Sequence, residues 1–476
     1  MIKRNYILVS SLLAGTVAIT ALLGWLEGRK LALAAPAAPA GELRVCASGC
    51  PYSSIQDAVD AAHSGDVIKV AAGTYTEVHH IPSLDTSTFT ASQIVAITKA
   101  VALRGGYSTS NWVEPDPASN PTLLDARGVG RAVLISGTVD ATLTGLRIRG
   151  GDASNLGGTP GDEDVGGGVC VLKASATISD SHVSSNTATA YGGGLYLDNS
   201  PITLSNSTIA NNTASRRGGG LYVTGDSHAT MTNNNVVSNF ATLEGGGICI
   251  YWSDARLVDN LISHNSSDLF GGGLYLYGGE TRLDRNRIKD NAAHQGGGIY
   301  LKYLYGTPPS FANSVIVQNQ AEEGSGLWFT SPYASETTTV TMLHTTLASN
   351  SGSGEGVHLD GSAILALTNT IVASQGVGIT VTNGATITLN ATLWDGNVSN
   401  TGGAGHLTTM HNYSGSAKLA GDGYHLTLAS AAIDRGVEAG VMLDVDGDGR
   451  PFGKPDLGAD ELHVNRVYLP LVSRNS

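Results

Sequence analysis

"GGGLYLDNSPITLSNSTIANNTASRR", residues 192–217, is followed at once by "GGGLYVTGDSHATMTNNNVVSNFATLE", residues 218–244. Both segments open on three glycines and both carry an apolar residue three places before an asparagine, Ile209 before Asn212 and Val236 before Asn239. Glycine triplets begin at 166, 192, 218, 245, 271 and 296, and Gly-Ser-Gly follows at 324, so the steps are 26, 26, 27, 26, 25 and 28 residues. A repeat of this length has to be settled before any single element is assigned. The apolar-to-asparagine spacing recurs in phase at Val183/Asn186, Ile262/Asn265, Ile288/Asn291, Ile316/Asn319 and Leu347/Asn350. Five residues before each apolar position stands another: Ile178, Leu204, Met231, Leu257, Leu283, Phe311 and Met342.

Between these columns apolar and polar residues alternate with period two over short runs, as in "ITLSNSTI", which is the pattern of strands and not of helices. Each repeat therefore reads as three short strands joined by tight turns. One such coil cannot bury its apolar side, but stacked coils share a core and pair their backbones about 4.8 Å apart. The sequence predicts an all-β parallel β-helix of roughly 11–13 coils, a rod about 50–65 Å long. The glycines allow a sharp corner, and the asparagines are expected to form a ladder of amide bonds between coils, worth about 1 kcal/mol each. Both motifs belong to the scaffold and carry no chemistry. Cys170 and Cys249 sit three coils apart, about 14 Å, too far for a disulfide.

Composition agrees with a folded, periodic chain: 62 of 476 residues are glycine, 14% are charged and 41% are hydrophobic. A net charge of −13 with 27 Lys+Arg argues against a nucleic-acid partner. Residues 1–34 read as an export signal, with Lys3 and Arg4 before an apolar run to Leu26 and a cleavage site at Ala32-Leu33-Ala34. Left uncut, the run is long enough to anchor the chain in a membrane. An Ala/Pro spacer to residue 43 follows. In an exported protein, Cys46 and Cys50 are expected to form a local disulfide. Open solenoid ends need covers. Residues 44–130 contain one, a short helix with Ser53 and Gln56 as its capping box; the clear repeats fill 131–400; residues 401–463 lose the repeat and are read as the other cap, before a tail from 464.

The motifs carry a family likeness. "YSSIQDAVDAAHSGDVIKVAAGTYTE" resembles the opening of bacterial right-handed parallel β-helix proteins of the pectin-lyase-like superfamily. "IANNTASRRGGGLYV" is similar to the repeats of polymorphic outer-membrane proteins. "AAIDRG" with "DVDGDGRPFGKPDLGADE" looks like the closing signature of choice-of-anchor β-helix proteins. The resemblance spans residues 44–462 and implies a right-handed, single-stranded helix. It leaves activity open, because that superfamily holds polysaccharide lyases, glycoside hydrolases and adhesins.

Candidate chemistry is sparse. Arg287-Ile288-Lys289 matches one tripeptide of the polygalacturonase set, without that set's aspartates or histidine, and reads as coincidence. Asp152, Asp162, Glu163 and Asp164 gather in one acidic loop, either a calcium site or a solvated turn. Mixed charges from Arg256 to Asp290 read as surface ion pairs, with catalysis or the binding of an anionic sugar as the alternative. In "DVDGDG", Asp444, Asp446 and Asp448 alternate before a glycine as in a calcium loop, although Pro455 stands where a bidentate glutamate would close it. Calcium is the cofactor expected there, and a hydrogen-bonded turn is the alternative.

The strongest feature is aromatic. After each glycine corner, the residue flanked by two apolar ones should point away from the coil interior: Cys170, Tyr196, Tyr222, Cys249, Tyr275, Tyr300, Trp328 and His358. Tyr251, Trp252, Tyr277, Tyr303, Tyr305 and Tyr333 stand beside them. Rings one coil apart are either a platform on which sugars stack or a ladder that only shields the sheet. The reading favours an exported, surface-associated protein that binds a polysaccharide or cell-surface glycan through Tyr196, Tyr222, Tyr251, Trp252, Tyr275, Tyr277, Tyr300 and Trp328. Its alternatives are a polysaccharide lyase or glycosidase using the same groove, and a structural component of the envelope.

Overall fold

The computed structural model describes residues 41–82, 90–156, 164–302, 307–331 and 339–463. The export segment, Asp162, Glu163, Tyr303, Tyr305, Tyr333 and the C-terminal tail lie outside the described residues.

One repeat makes one coil. Residues 192–217 form strands Leu195–Asp198, Ile202–Ser205, Thr208–Ala210 and Thr213–Ala214. Each pairs in parallel with its counterpart one repeat on, Leu195 with Leu221, Ile202 with Ala229, Thr208 with Asn235 and Thr213 with Phe240. Among the described residues, coils stacked in this way build sheets of 24 and 13 strands. A fourth strand adds to the three that the repeat predicts: the residues after the ladder asparagines pair as well, giving a third sheet of four strands among the described residues. The hairpin of His79–Pro82 with Thr90–Ile97 is antiparallel.

The two apolar columns line the coil interior. Ile178, Leu204, Met231, Leu257, Leu283, Phe311 and Met342 are at most 2% exposed, and the column from Val183 to Leu347 is fully closed. The asparagines form the expected ladder: Nδ2 of Asn186, Asn212, Asn239, Asn265, Asn291 and Asn319 each donates to Oδ1 of the next, at 2.9–3.0 Å. Each ladder amide from Asn186 to Asn350 also donates to a backbone carbonyl one coil back, as Asn265 Nδ2 does to Val236 O at 2.8 Å. A second, shorter ladder runs through Asn234, Asn260 and Asn286. The left-handed residues are not the ladder asparagines themselves but those just before them, such as Ser185, Asn211, Ser238 and His264, with φ between 54° and 56°. The corner at Gly192, φ 65°, and the next residue, where a Cβ at Gly193 would press on the Thr213 carbonyl, explain the glycine triplets.

The N-terminal helix is Ile55–Ala61, and its cap differs from the expected one. Ser54 is the N-cap and accepts from Asp57 N–H at 3.3 Å, while Gln56 is buried and ties the helix to the backbone of Ala96 through both ends of its amide. At the other end, the expected cap over 401–463 divides. Strands Ser399–Gly402 and His406–Ser414 make one more coil. The chain from 415 to 463 then turns back along the flank, where Ala417, Leu426, Val445, Leu457 and Ala459 cover Val315, Val317, Ile371, Ala373 and Leu393. It does not close the end, because the outward-facing valines of Val315–Val317 and the matching residues of later coils give it an apolar wall to bury.

Candidate functional site

The strand after each glycine corner carries the aromatic column in the expected register: Cys170, Tyr196, Tyr222, Cys249, Tyr275, Tyr300, Trp328 and His358 are successive partners. They lie outside the inner core, as expected, but they are not a platform. Tyr196, Tyr222, Tyr275, Tyr300 and Trp328 are 3–7% exposed and form a second apolar cluster. Their rings stack along the axis, Tyr275 on Tyr300 at 5.3 Å and Tyr300 on Trp328 at 6.3 Å between centroids. The cover is the residue just before each glycine corner, a row in which Val165, Tyr191, Arg217, Glu244, Phe270, Gln295 and Glu323 bridge from coil to coil. The tight corner folds that residue back over the strand, so Tyr191 stacks on Tyr222 at 4.8 Å and Phe270 packs on Tyr300 at 4.8 Å. Burial pushes the Tyr222 and Tyr275 hydroxyls well above their usual range and Tyr300 up to about 12.

Three of the eight named rings remain half-exposed: Tyr251, Trp252 and Tyr277, at the far end of the same strands. Tyr251 and Tyr277 stack at 4.6 Å and 6°, and Trp252 meets Tyr277 edge-on at 5.2 Å. Cations flank them, with Arg217 Cζ 4.9 Å from the Tyr251 ring and Lys302 Nζ 5.4 Å from Tyr277. Arg217 is held by Glu244 Oε2 at 2.6 Å; burial raises that carboxyl and the guanidinium opposes it. Trp252 occupies a left-handed corner, φ 51°, whereas the coils on either side place Gly225 and Gly278 there. A Cβ on Gly278 would meet the indole directly, so the glycine is what lets the ring lie across the neighbouring coil.

Two residues on from Trp252, the chain enters a shallow groove of about 290 Å³ lined by His228, Thr230, Asp254, Arg256, Glu280 and Arg282. Arg256 and Arg282 are neighbours in register, and the groove's carboxylates are engaged: Glu280 with Arg282, and Asp254 with the Glu280 N–H at 2.8 Å and with His228 at 3.4 Å. The arrangement offers half-exposed ring edges beside alternating hydrogen-bond donors and acceptors. The remaining charges of this region pair as the sequence suggests: Arg285 binds Asp259 at 2.7 and 3.0 Å and Asp284 at 2.6 Å, and Arg287 binds Asp446 at 2.6 Å.

The three aspartates of "DVDGDG" do not converge. Asp444 is buried and accepts backbone N–H bonds from Asp446, Asp448 and Glu461 at 2.9–3.2 Å, which makes it the knot of a turn. Asp446 points away to Arg287 and to His425 Nε2 at 2.6 Å. Ligand-type atoms gather instead as His425, Asp446 and Asp460, and as Asp444, Asp448 and His463. In the acidic loop, Asp164 accepts from the N–H groups of Asn155 and Leu156, and Asp152 from that of Ser154, so both act as loop ties. Cys46 and Cys50 are joined, with Cα atoms 5.6 Å apart, and Cys170 and Cys249 are free and buried.

With coils, register and ladders in view, the comparison with known families is direct. The family described as right-handed β-helix region matches at residues 130–267, 167–335 and 219–393. These overlapping matches run unbroken from 130 to 393, more than half of the 476 residues, and the chain belongs to that family. Among solved structures, the crystal structure of pectate lyase Pel9A is similar at 13% identity and a TM-score of 0.34, over 90% of this chain and 97% of that one. No curated protein matches the chain.

Proposed function

We propose that the protein is exported and binds a polysaccharide, or a glycan on a cell surface, along the edge marked by Trp252. Trp252 carries this reading. A non-glycine side chain in the left-handed region costs about 1–3 kcal/mol; Lys173 and Asn199 take the same corner in earlier coils, so Trp252 is marked out by the size of its ring. Here an indole holds a corner that adjacent coils give to Gly225 and Gly278. Tyr251 and Tyr277, stacked on each other and capped by Arg217 and Lys302, add half-exposed ring edges for a sugar to contact, and Asp254, Arg256, Glu280 and Arg282 supply donors and acceptors for hydroxyls. The Cys46–Cys50 bond supports export, since disulfides persist in oxidising compartments. Calcium at Asp444 or Asp448 would act on the flank segment and not at this edge.

The test is a glycan-array and depolymerisation screen of residues 41–476, with and without calcium, on the wild type and on Trp252→Ala. Binding without chain cleavage, lost in the variant while its circular dichroism is unchanged, is the expected result. Binding that survives the substitution would move the site away from this edge. Release of shortened product would replace the binding protein with a lyase or glycosidase, and no binding to any glycan would favour a structural role.

A further inference from the structure

The two ends of the solenoid are built on different plans. At the start, the helix Ile55–Ala61 packs on the first coils, and the edge strand Glu42–Val45 carries Glu42 and Arg44, with Lys69 2.7 Å from Glu42. At the finish, strands Ser399–Gly402 and His406–Ser414 have, among the described residues, a paired neighbour on one side only. In His406–Ser414 every residue except Tyr413 is exposed.

This last strand lacks the usual defences of an edge. Natural sheets blunt such strands with lysine, proline or a covering element. Residues 396–417 contain no Asp, Glu, Lys, Arg or Pro, in a chain of net charge −13. The interior is only partly finished: Leu389 and Trp394 of the preceding coil are followed in register by Thr409 and Ser414, while Leu407 carries the Ile387 column into the last coil and is exposed there. What the end presents is backbone. His406 N–H donates back to Ala385 O at 2.9 Å, and because residues of a parallel strand alternate between neighbours, Leu407 and Thr409 turn their N–H groups outward along the axis.

We propose that this end pairs with the same end of a second copy, the stretch His406–Met410, before the left-handed bend at His411, lying antiparallel to its twofold mate. A second copy is the partner that fits for two reasons. Two strongly acidic chains can meet without like-charge contacts where each presents an uncharged coil. An antiparallel strand pair is also its own complement under a twofold axis, and the charged, helix-covered N-terminal end offers no matching surface, so the assembly closes as a dimer and does not grow into a filament.

The experiment is light scattering and sedimentation of residues 41–476, which hold every described element of the fold, across a concentration series. The expected mass is twice that of the monomer. The double variant Thr408→Lys/Met410→Lys places like charges on exposed outward positions across the twofold axis, and Thr409→Pro removes one free N–H without touching the ladder to the preceding coil. Both should be monomeric, with the thermal midpoint of the dilute wild type. A monomeric wild type at all concentrations overturns the proposal, as does a dimer that persists in both variants. If the wild type is monomeric but dimerises once residues 464–476 are removed, the tail occupies the edge and the second copy does not.

Discussion

The guanidinium of Arg450 lies against Nδ1 of His344, joining the C-terminal flank segment to the solenoid wall, and the two residues are 3% and 1% exposed. Arg450 also donates to the carbonyls of Asp456, Gly458 and Ala459 at 2.9–3.2 Å and lies 3.4 Å from Glu461. On the other side of the imidazole, Asn369 Nδ2 sits 2.9 Å from Nε2 and reaches Val437 O at 2.7 Å. One histidine in a coil corner is thus the point around which the flank segment is fastened.

That histidine should make stability depend on pH. Burial, and then the positive charge of Arg450, hold the His344 imidazole down to about 3, against about 6.5 in an unfolded chain. Between these values the unfolded chain binds more protons at this site, so its contribution to stability rises with pH, by up to about 1.4 kcal/mol per unit. Asp456 works in the opposite sense: burial raises its carboxyl to about 6, and stability from that group grows as pH falls through 6 toward 3.8. The difference between wild type and His344→Gln isolates the histidine. Urea unfolding at pH 7, 6, 5 and 4 should show the wild type losing stability relative to the variant as the pH drops, and parallel curves would contradict the burial of a neutral ring.

The asparagine ladder predicts a large loss from a small change. Asn265 Oδ1 accepts from the backbone N–H and from Nδ2 of Asn239, and Asn265 Nδ2 donates to Val236 O and to Asn291 Oδ1, all at 2.8–2.9 Å except the last at 3.0 Å. Asn265→Ala removes these partners in a site with no exposure, and each group left unpaired costs about 1–3 kcal/mol. Denaturant titration should show a loss of about 3 kcal/mol or more. Asn397→Ala, in a half-buried position near the end, should lose much less because water can replace the amide.

Repetition decided what could be read from residues alone. A column that recurs in every coil, such as Ile209 or Asn212, shows its role by its period, and the structure places both where the spacing puts them. Features that depend on how the chain leaves a corner have no period of their own. The row from Val165 to Glu323 varies in residue type, and nothing in its composition announces that it folds over the ring column. The flank segment could have been anticipated from one sign, the change of outward residues from Arg287 and Lys289 to Val315 and Val317, since apolar residues on an outer face call for a cover. For Trp252 the useful signal was its alignment with Gly225 and Gly278, visible once the coils are set in register.

This alignment separates two kinds of ring by their effect on stability. Tyr275 is 3% exposed and stacks on Tyr300, so Tyr275→Ala should cost about 3–5 kcal/mol as a buried aromatic truncation. Trp252→Gly loses an edge-on contact with Tyr277 but gives the left-handed corner the residue that adopts it freely. A ring pair of this kind is worth about 0.5–1.5 kcal/mol, the packing of the half-buried indole on the next coil adds to it, and the relieved strain of about 1–3 kcal/mol offsets both, so the variant should unfold close to the wild-type midpoint. Thermal unfolding followed by circular dichroism distinguishes the cases. A marked loss in Trp252→Gly would show that the indole serves packing like the covered rings, and would remove the reason to place a ligand on it.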